Sequence, residues 1–122
     1  MSRVHQSDTA PELEVRRILH RLGYRYRLHR RGLPGTPDIV FTSRKKVIFV
    51  HGCFWHRHEG CRHSTTPKTR VAFWKDKFEK NVERDSRNLR SLRQLGWKPL
   101  VIWQCQTEDA QRLGRRLARF LG

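Results

Sequence analysis

The chain has 122 residues, enough for one domain with a single modest core. Its 27 Lys and Arg against 11 Asp and Glu leave a net charge of +16, which points to a polyanionic partner, most commonly nucleic acid. No apolar run approaches the roughly 20 residues of a bilayer span, MSRVHQSDTAPE carries no hydrophobic signal core, and three cysteines cannot all pair internally; the expectation is a cytoplasmic protein with no membrane partner, its thiols serving as metal ligands or buried groups.

Residues 1–8 read as a short N-terminal arm. Thr9 and Glu12 form a T-x-x-E capping box, after which Val15, Ile18, Leu19 and Leu22 fall on one face of a helix that Gly23 stops. Tyr24, Tyr26 and Leu28 alternate with Arg25, Arg27 and His29, the pattern of a strand with one basic face. LPGTPD, residues 33–38, is turn chemistry. The apolar runs 39–41 and 47–50, separated by TSRKK, predict a hairpin. From about 70 to 95 the pattern is helical, with Val71, Trp74, Phe78, Val82, Leu89 and Leu92 as the buried stripe and Gly96 at the end. PLVIW, residues 99–103, is a buried strand with Pro99 tolerable at its start. Thr107 is placed to cap a last helix with Ala110, Leu113, Leu117, Phe120 and Leu121 inward. This order predicts one α/β domain whose sheet is covered by helices, with a parallel crossover available to the strand after the long helix.

VHGCFWHRHEGCRH, residues 50–63, packs four histidines, two cysteines, a Phe and a Trp into one stretch. Cys53, His58 and Cys61 have the spacing C-x4-H-x2-C, and Cys105, just beyond the last strand, completes a three-thiolate, one-imidazole set of the kind that holds structural zinc. His56 and His63 are competing ligands by spacing alone, and three buried thiols among surface histidines is the plainer alternative.

GTPD places Asp38 at the head of one strand, and FVH places His51 at the end of the next. In a hairpin those ends are neighbours. A carboxylate there can hold Mg2+ against a phosphate oxygen, an imidazole nearby can take a proton from water, His56 can reach the same pocket, and Glu12 can add a second carboxylate. Each also has an ordinary structural role open to it: turn cap, buried histidine, capping-box partner. Phe54, Trp55 and Trp74 can stack on bases or wedge between them, or belong to the core. Lys68, Arg70, Lys75, Lys77 and Lys80 can meet phosphates.

LPGTPDIVF, VIFVHGCFWHRHEGC, PKTRVAFWKDKFEKNVERD and LGWKPLVIWQC together resemble successive blocks of the Vsr family of very-short-patch-repair DNA mismatch endonucleases. The resemblance implies a single endonuclease domain over 1–122 with a restriction-endonuclease-like fold, a mixed central β-sheet flanked by helices, and a structural zinc site. It implies an enzyme that nicks one strand of double-stranded DNA on the 5′ side of the thymine in a T·G mismatch; one small domain with one site suits a monomer, and mismatch-repair proteins are candidate partners. By position it assigns Asp38 and the Val50 carbonyl to magnesium, His51 and His56 to catalysis with His56 as the base, and Glu12 to the edge of the active site. It gives Cys53, His58, Cys61 and Cys105 to zinc, and Phe54, Trp55 and Trp74 to a wedge beside the mismatch. The sequence departs from the family pattern in Val50, where Thr is familiar, in a zinc turn one residue longer, and in the short arm. FVH stands where many restriction nucleases carry E-x-K. Two other readings share these features: a related nicking or restriction nuclease with a different DNA target, and a zinc-stabilised DNA-binding module that does not cut.

Overall fold

The computed structural model describes residues 9–62 and 65–122; the 1–8 arm and His63 lie outside the described residues. Helix α1, Ala10–Arg21, starts where the Thr9 hydroxyl accepts the Glu12 N–H at 3.3 Å. It buries Val15, Ile18 and Leu19 as expected. Leu22 does not join them. The helix ends at Arg21, so Leu22 is its C-cap and is 45% exposed. The chain then reverses through Gly23, at φ +88°, with the Tyr24 N–H on the Leu19 carbonyl.

The predicted first strand shrinks to β1, Arg27–Leu28, both exposed. Tyr24 and Tyr26 instead pack edge-on against Phe41, at 6.4 and 6.2 Å between centroids, so the segment is held by its rings more than by a ladder. β2, Ile39–Phe41, and β3, Lys46–His51, form the expected antiparallel hairpin. Helix α2, Val71–Gln94, carries the chain over the sheet to β4, Lys98–Trp103, which runs parallel to β3. The described strands lie in the order β1-β2-β3-β4, a mixed sheet. A 3-10 turn, Gln104–Glu108, leads to α3, Ala110–Leu121. The cap of α3 is Asp109, whose carboxylate accepts the Arg112 N–H; the Thr107 hydroxyl is inside the preceding turn, donating to the Gln104 carbonyl at 2.7 Å.

Strand alternation sorts the core into two layers. Ile39, Phe41, Ile48 and Ile102 meet Val15, Ile18 and Leu19 of α1 and Leu113, Leu117 and Leu121 of α3 on one face. Val40, Val47 and Phe49 meet Leu92 and Trp97 on the other, under the end of α2. Each such side chain fully buried contributes about 1.5–3 kcal/mol. Of the stripe expected on α2, Phe78 and Leu92 are buried, but Val71 and Val82 are 51% and 42% exposed. A 24-residue helix is about 36 Å long and six-residue strands span about 20 Å, so α2 overhangs the sheet.

The two ends of the hairpin have different tasks. At the turn end, Arg44 donates to the Leu121 carbonyl at 2.9 Å and Lys46 to the Phe120 carbonyl at 2.6 Å, capping the C-terminus of α3. At the open end lie Asp38 and His51. Among the described residues no helix is long and apolar enough to cross a membrane.

Candidate functional site

Asp38 leaves the 33–37 turn just ahead of β2, and its Oδ2 accepts the Val50 N–H at 2.7 Å. That bond continues the hairpin past the last backbone pair, Ile39 with Ile48, and fixes the carboxylate beside the end of β3. Burial raises the Asp38 pKa to about 6; the Val50 N–H pulls it down, the Glu12 carboxylate pushes it up, and His29 and His56 pull it down. The turn is pinned from below. Gly35 sits at φ +78°, and a Cβ there would meet Asn88 Nδ2 at 3.0 Å and Phe49 Cε1 at 3.1 Å.

His51, the last residue of β3, is buried. Its ring stacks on His56, 3.9 Å between centroids and 7° from parallel, and meets Trp103 edge-on at 5.3 Å. Burial foremost, then the His56 charge, lower its pKa to about 3, so it is a neutral imidazole at ordinary pH. Asp85 Oδ2 accepts from His56 Nδ1 at 2.5 Å, which aims the other ring nitrogen away from α2. Asp38, His51, His56 and Asp85 all line one cavity of about 610 Å³, with Trp55 and Arg84 on its wall. The structure thus brings together the three residues that the sequence placed near one another.

Glu12 is 1% exposed, and its Oε2 accepts from Arg16 at 3.1 Å and from His29 Nε2 at 2.6 Å. Ligand atoms of Glu12, His29 and Asp38 lie within 4.8 Å of one another, as do those of His51, His56 and Asp85. Val50 is part of the cavity wall. In a strand a residue's N–H and C=O face the same neighbour, so the Val50 carbonyl faces the Asp38 side.

Cys53, His58, Cys61 and Cys105 form a second group with ligand atoms within 4.8 Å of one another. Cys53 Sγ and Cys105 Sγ lie 3.6 and 3.4 Å from His58 Nδ1. Around a tetrahedral zinc, sulfur and nitrogen ligands stand about 3.6 Å apart, so these donors fit that ion. The turn wraps tightly: the His58 N–H bonds the Cys53 carbonyl at 3.0 Å and the Cys61 N–H bonds the His58 carbonyl at 3.2 Å. Burial pushes the Cys53 and Cys105 thiols up, so both need a cation to ionise. His56, a rival ligand by spacing, is turned to Asp85 instead. Trp103 joins the two centres, its indole stacked on His58 at 4.3 Å and edge-on to His51.

Phe54, Trp55 and Trp74 belong to one half-buried aromatic cluster with Phe78, their neighbouring rings 4.9 to 6.3 Å apart. Trp55 also reaches the cavity. Lys68 and Arg70 are exposed just before α2, with the Arg70 guanidinium 4.3 Å above the Phe73 ring. Sequence reasoning missed His29 and Asp85 as members of the site. Asp85 carried a signal: it lies seven residues after Phe78 and seven before Leu92, a carboxylate on the apolar stripe. His29 carried none beyond its place on a basic strand face.

The family model for DNA mismatch endonuclease Vsr matches residues 1–62. The chain is similar to the type II nicking enzyme V.XorIIP of Xanthomonas oryzae pv. oryzae, with 51% identity over 121 residues, 99% of this chain and 88% of that protein. It is 39% identical to the type II nicking enzyme V.NmeAIP of Neisseria meningitidis, over 99% of this chain and 86% of the relative. To the DNA mismatch endonuclease Vsr of Escherichia coli K12 it is 41% identical, over 93% of this chain and 72% of the relative.

Proposed function

The chain belongs to the DNA mismatch endonuclease Vsr family and is a DNA endonuclease of the nicking kind, and we propose that it cuts one strand of duplex DNA on the 5′ side of the thymine in a T·G mismatch. The observation that carries this reading is the one cavity that Asp38, His51 and His56 all line, with Asp85 on His56. In it, Asp38 and the Val50 carbonyl would hold a divalent ion, Mg2+ in the simplest case. That ion, when bound, polarises the scissile phosphate and stabilises charge on the leaving 3′ oxygen.

The rest is done by the chain's own side chains. Asp85 accepts a hydrogen bond from His56 Nδ1–H and so leaves the other nitrogen free of a proton, able to take one from the attacking water. His51, neutral and stacked on His56, donates its ring N–H to a phosphoryl oxygen as charge builds there. The products carry 5′-phosphate and 3′-hydroxyl ends. Phe54, Trp55 and Trp74 form the wedge that senses the mismatch, because a weak base step costs less to unstack. Lys68 and Arg70 supply phosphate contacts at the start of α2. Cys53, His58, Cys61 and Cys105 would hold zinc, which would tie the histidine loop to the end of β4. A restriction-endonuclease-like fold for the sheet and its helices belongs to the same proposal.

The test is a nicking assay with Mg2+ on labelled duplexes that carry or lack a T·G pair. Nicking confined to the mismatch and to the thymine strand supports the reading. Cutting of matched DNA assigns the chain to a nicking nuclease with another target. Binding without cutting makes it a DNA-binding module.

A further inference from the structure

Glu12, His29 and Asp38 come from three separate segments: α1, the residue after β1, and the residue before β2. The His29 N–H bonds the Asp38 carbonyl at 3.0 Å, so the two main chains are tied together. The His29 ring reaches back to Glu12 Oε2 at 2.6 Å. One ligand atom from each of the three lies within 4.8 Å of the others, so an ion on the Asp38 carboxylate also has an imidazole nitrogen and a deeply buried carboxylate in range.

We propose that His29 is a direct ligand of the catalytic divalent ion, giving this chain a Glu12–His29–Asp38 site that prefers Mn2+ to Mg2+. The inference rests on the reading of Asp38 as the metal-binding carboxylate. Mg2+ is a small, hard ion that takes oxygen donors and gives up water reluctantly. First-row transition ions accept carboxylate and imidazole together, and affinity for mixed nitrogen and oxygen sites rises from Mn2+ onward. A set of two carboxylates and one imidazole therefore discriminates by chemistry rather than size. Arg16 also donates to Glu12 Oε2, which reduces the charge Glu12 offers and leaves the imidazole as the group that sets the preference. On binding, His29 exchanges its hydrogen bond to Glu12 for the metal, and both side chains stay where the main chain has put them.

The experiment uses the full chain with its Cys3His set filled by Zn2+. Mn2+ binding is followed by electron paramagnetic resonance, with Mg2+ as competitor. The expected result is Mn2+ held more tightly than Mg2+, with spin-echo modulation from a directly bound imidazole nitrogen. Both features are lost in His29→Gln and His29→Asn, and the nitrogen signal persists in His56→Gln. A wild-type chain that binds the two ions equally overturns the proposal without any variant. So does a nitrogen signal that survives both His29 substitutions or disappears only in His56→Gln, which assigns the ion to the His51–His56–Asp85 group. Failure of the underlying reading looks different: Asp38→Ala would then still nick. Loss of nicking in Asp38→Ala with an unchanged nitrogen signal in His29→Gln removes His29 alone.

Discussion

His56 and Asp85, 29 residues apart in the chain, meet at 2.5 Å between Nδ1 and Oδ2 and join the loop after β3 to α2. The contact fixes the imidazole tautomer, since a carboxylate on one ring nitrogen leaves the lone pair on the other. Asp85→Asn keeps the shape and loses that control. Its expected effect is a fall in single-turnover nicking of about 10²–10⁴-fold, the range of general-base catalysis, with DNA affinity nearly unchanged. Equal losses in binding and cutting would give Asp85 a structural role only.

Asp38 is expected to trade stability for chemistry. Its carboxyl titrates near 3.8 when unfolded and at about 6 in the fold, where burial favours the proton. Between those values the folded chain binds more proton than the unfolded one, so stability falls as pH rises through that window and is lowest above it. The difference corresponds to about 3 kcal/mol. Asp38→Asn should therefore abolish nicking and raise stability at pH 7 to 8 by up to that amount, with no gain at pH 3. Urea unfolding of both chains at the two pH values measures it.

The same proton controls metal uptake. In the wild type, nicking at subsaturating Mg2+ should drop about tenfold for each pH unit below 6, because only the ionised carboxylate binds the ion. Raising Mg2+ should recover the lost rate. A flat profile from pH 5 to 7 would detach Asp38 from the metal.

Removal of zinc should unmake the histidine loop. Purified protein is expected to carry about one zinc per chain. Cys53→Ser or treatment with a chelator should lower Tm by roughly 10 °C or more, since a loss of 3 kcal/mol moves a domain of this size that far. Trp103 lies against both His58 and His51, so its fluorescence should change in the same titration.

Gly35→Ala tests the turn that presents Asp38. The added methyl meets Asn88 and Phe49 in a left-handed backbone position, for an expected cost of about 1–3 kcal/mol. Nicking should fall more than the loss of folded protein explains. Gly23→Ala has the same kind of backbone and open space around it, and should lose stability without that extra loss of rate.

Much of this was readable before any coordinates, for physical reasons that differ by element. Helix α1 declared itself because Thr9, Val15, Ile18 and Leu19 all serve one local geometry. The β2–β3 hairpin did so because two short apolar runs flank a polar turn. On α2, periodicity gives the face but not how far the sheet extends beneath it, so Val71 and Val82 share the apolar stripe and are nonetheless exposed. Thr107 and Asp109 are both good caps two residues apart, and the 3-10 turn decided between them. The Cys53–His58–Cys61 spacing was legible, while the choice between His56 and His58 depended on where Asp85 of α2 comes to lie. His29 was beyond reach, because its meeting with Glu12 is set by the path of the chain through β1.

Because Arg44 and Lys46 fasten the last turn of α3 to the start of β3, Gly122 and the cavity lined by Asp38 and His51 sit at opposite ends of that strand, about 17 Å of rise apart. A tether or dye attached at Gly122 would leave the mouth of that cavity open, and a surface coated with chains held this way would present every cleft outward.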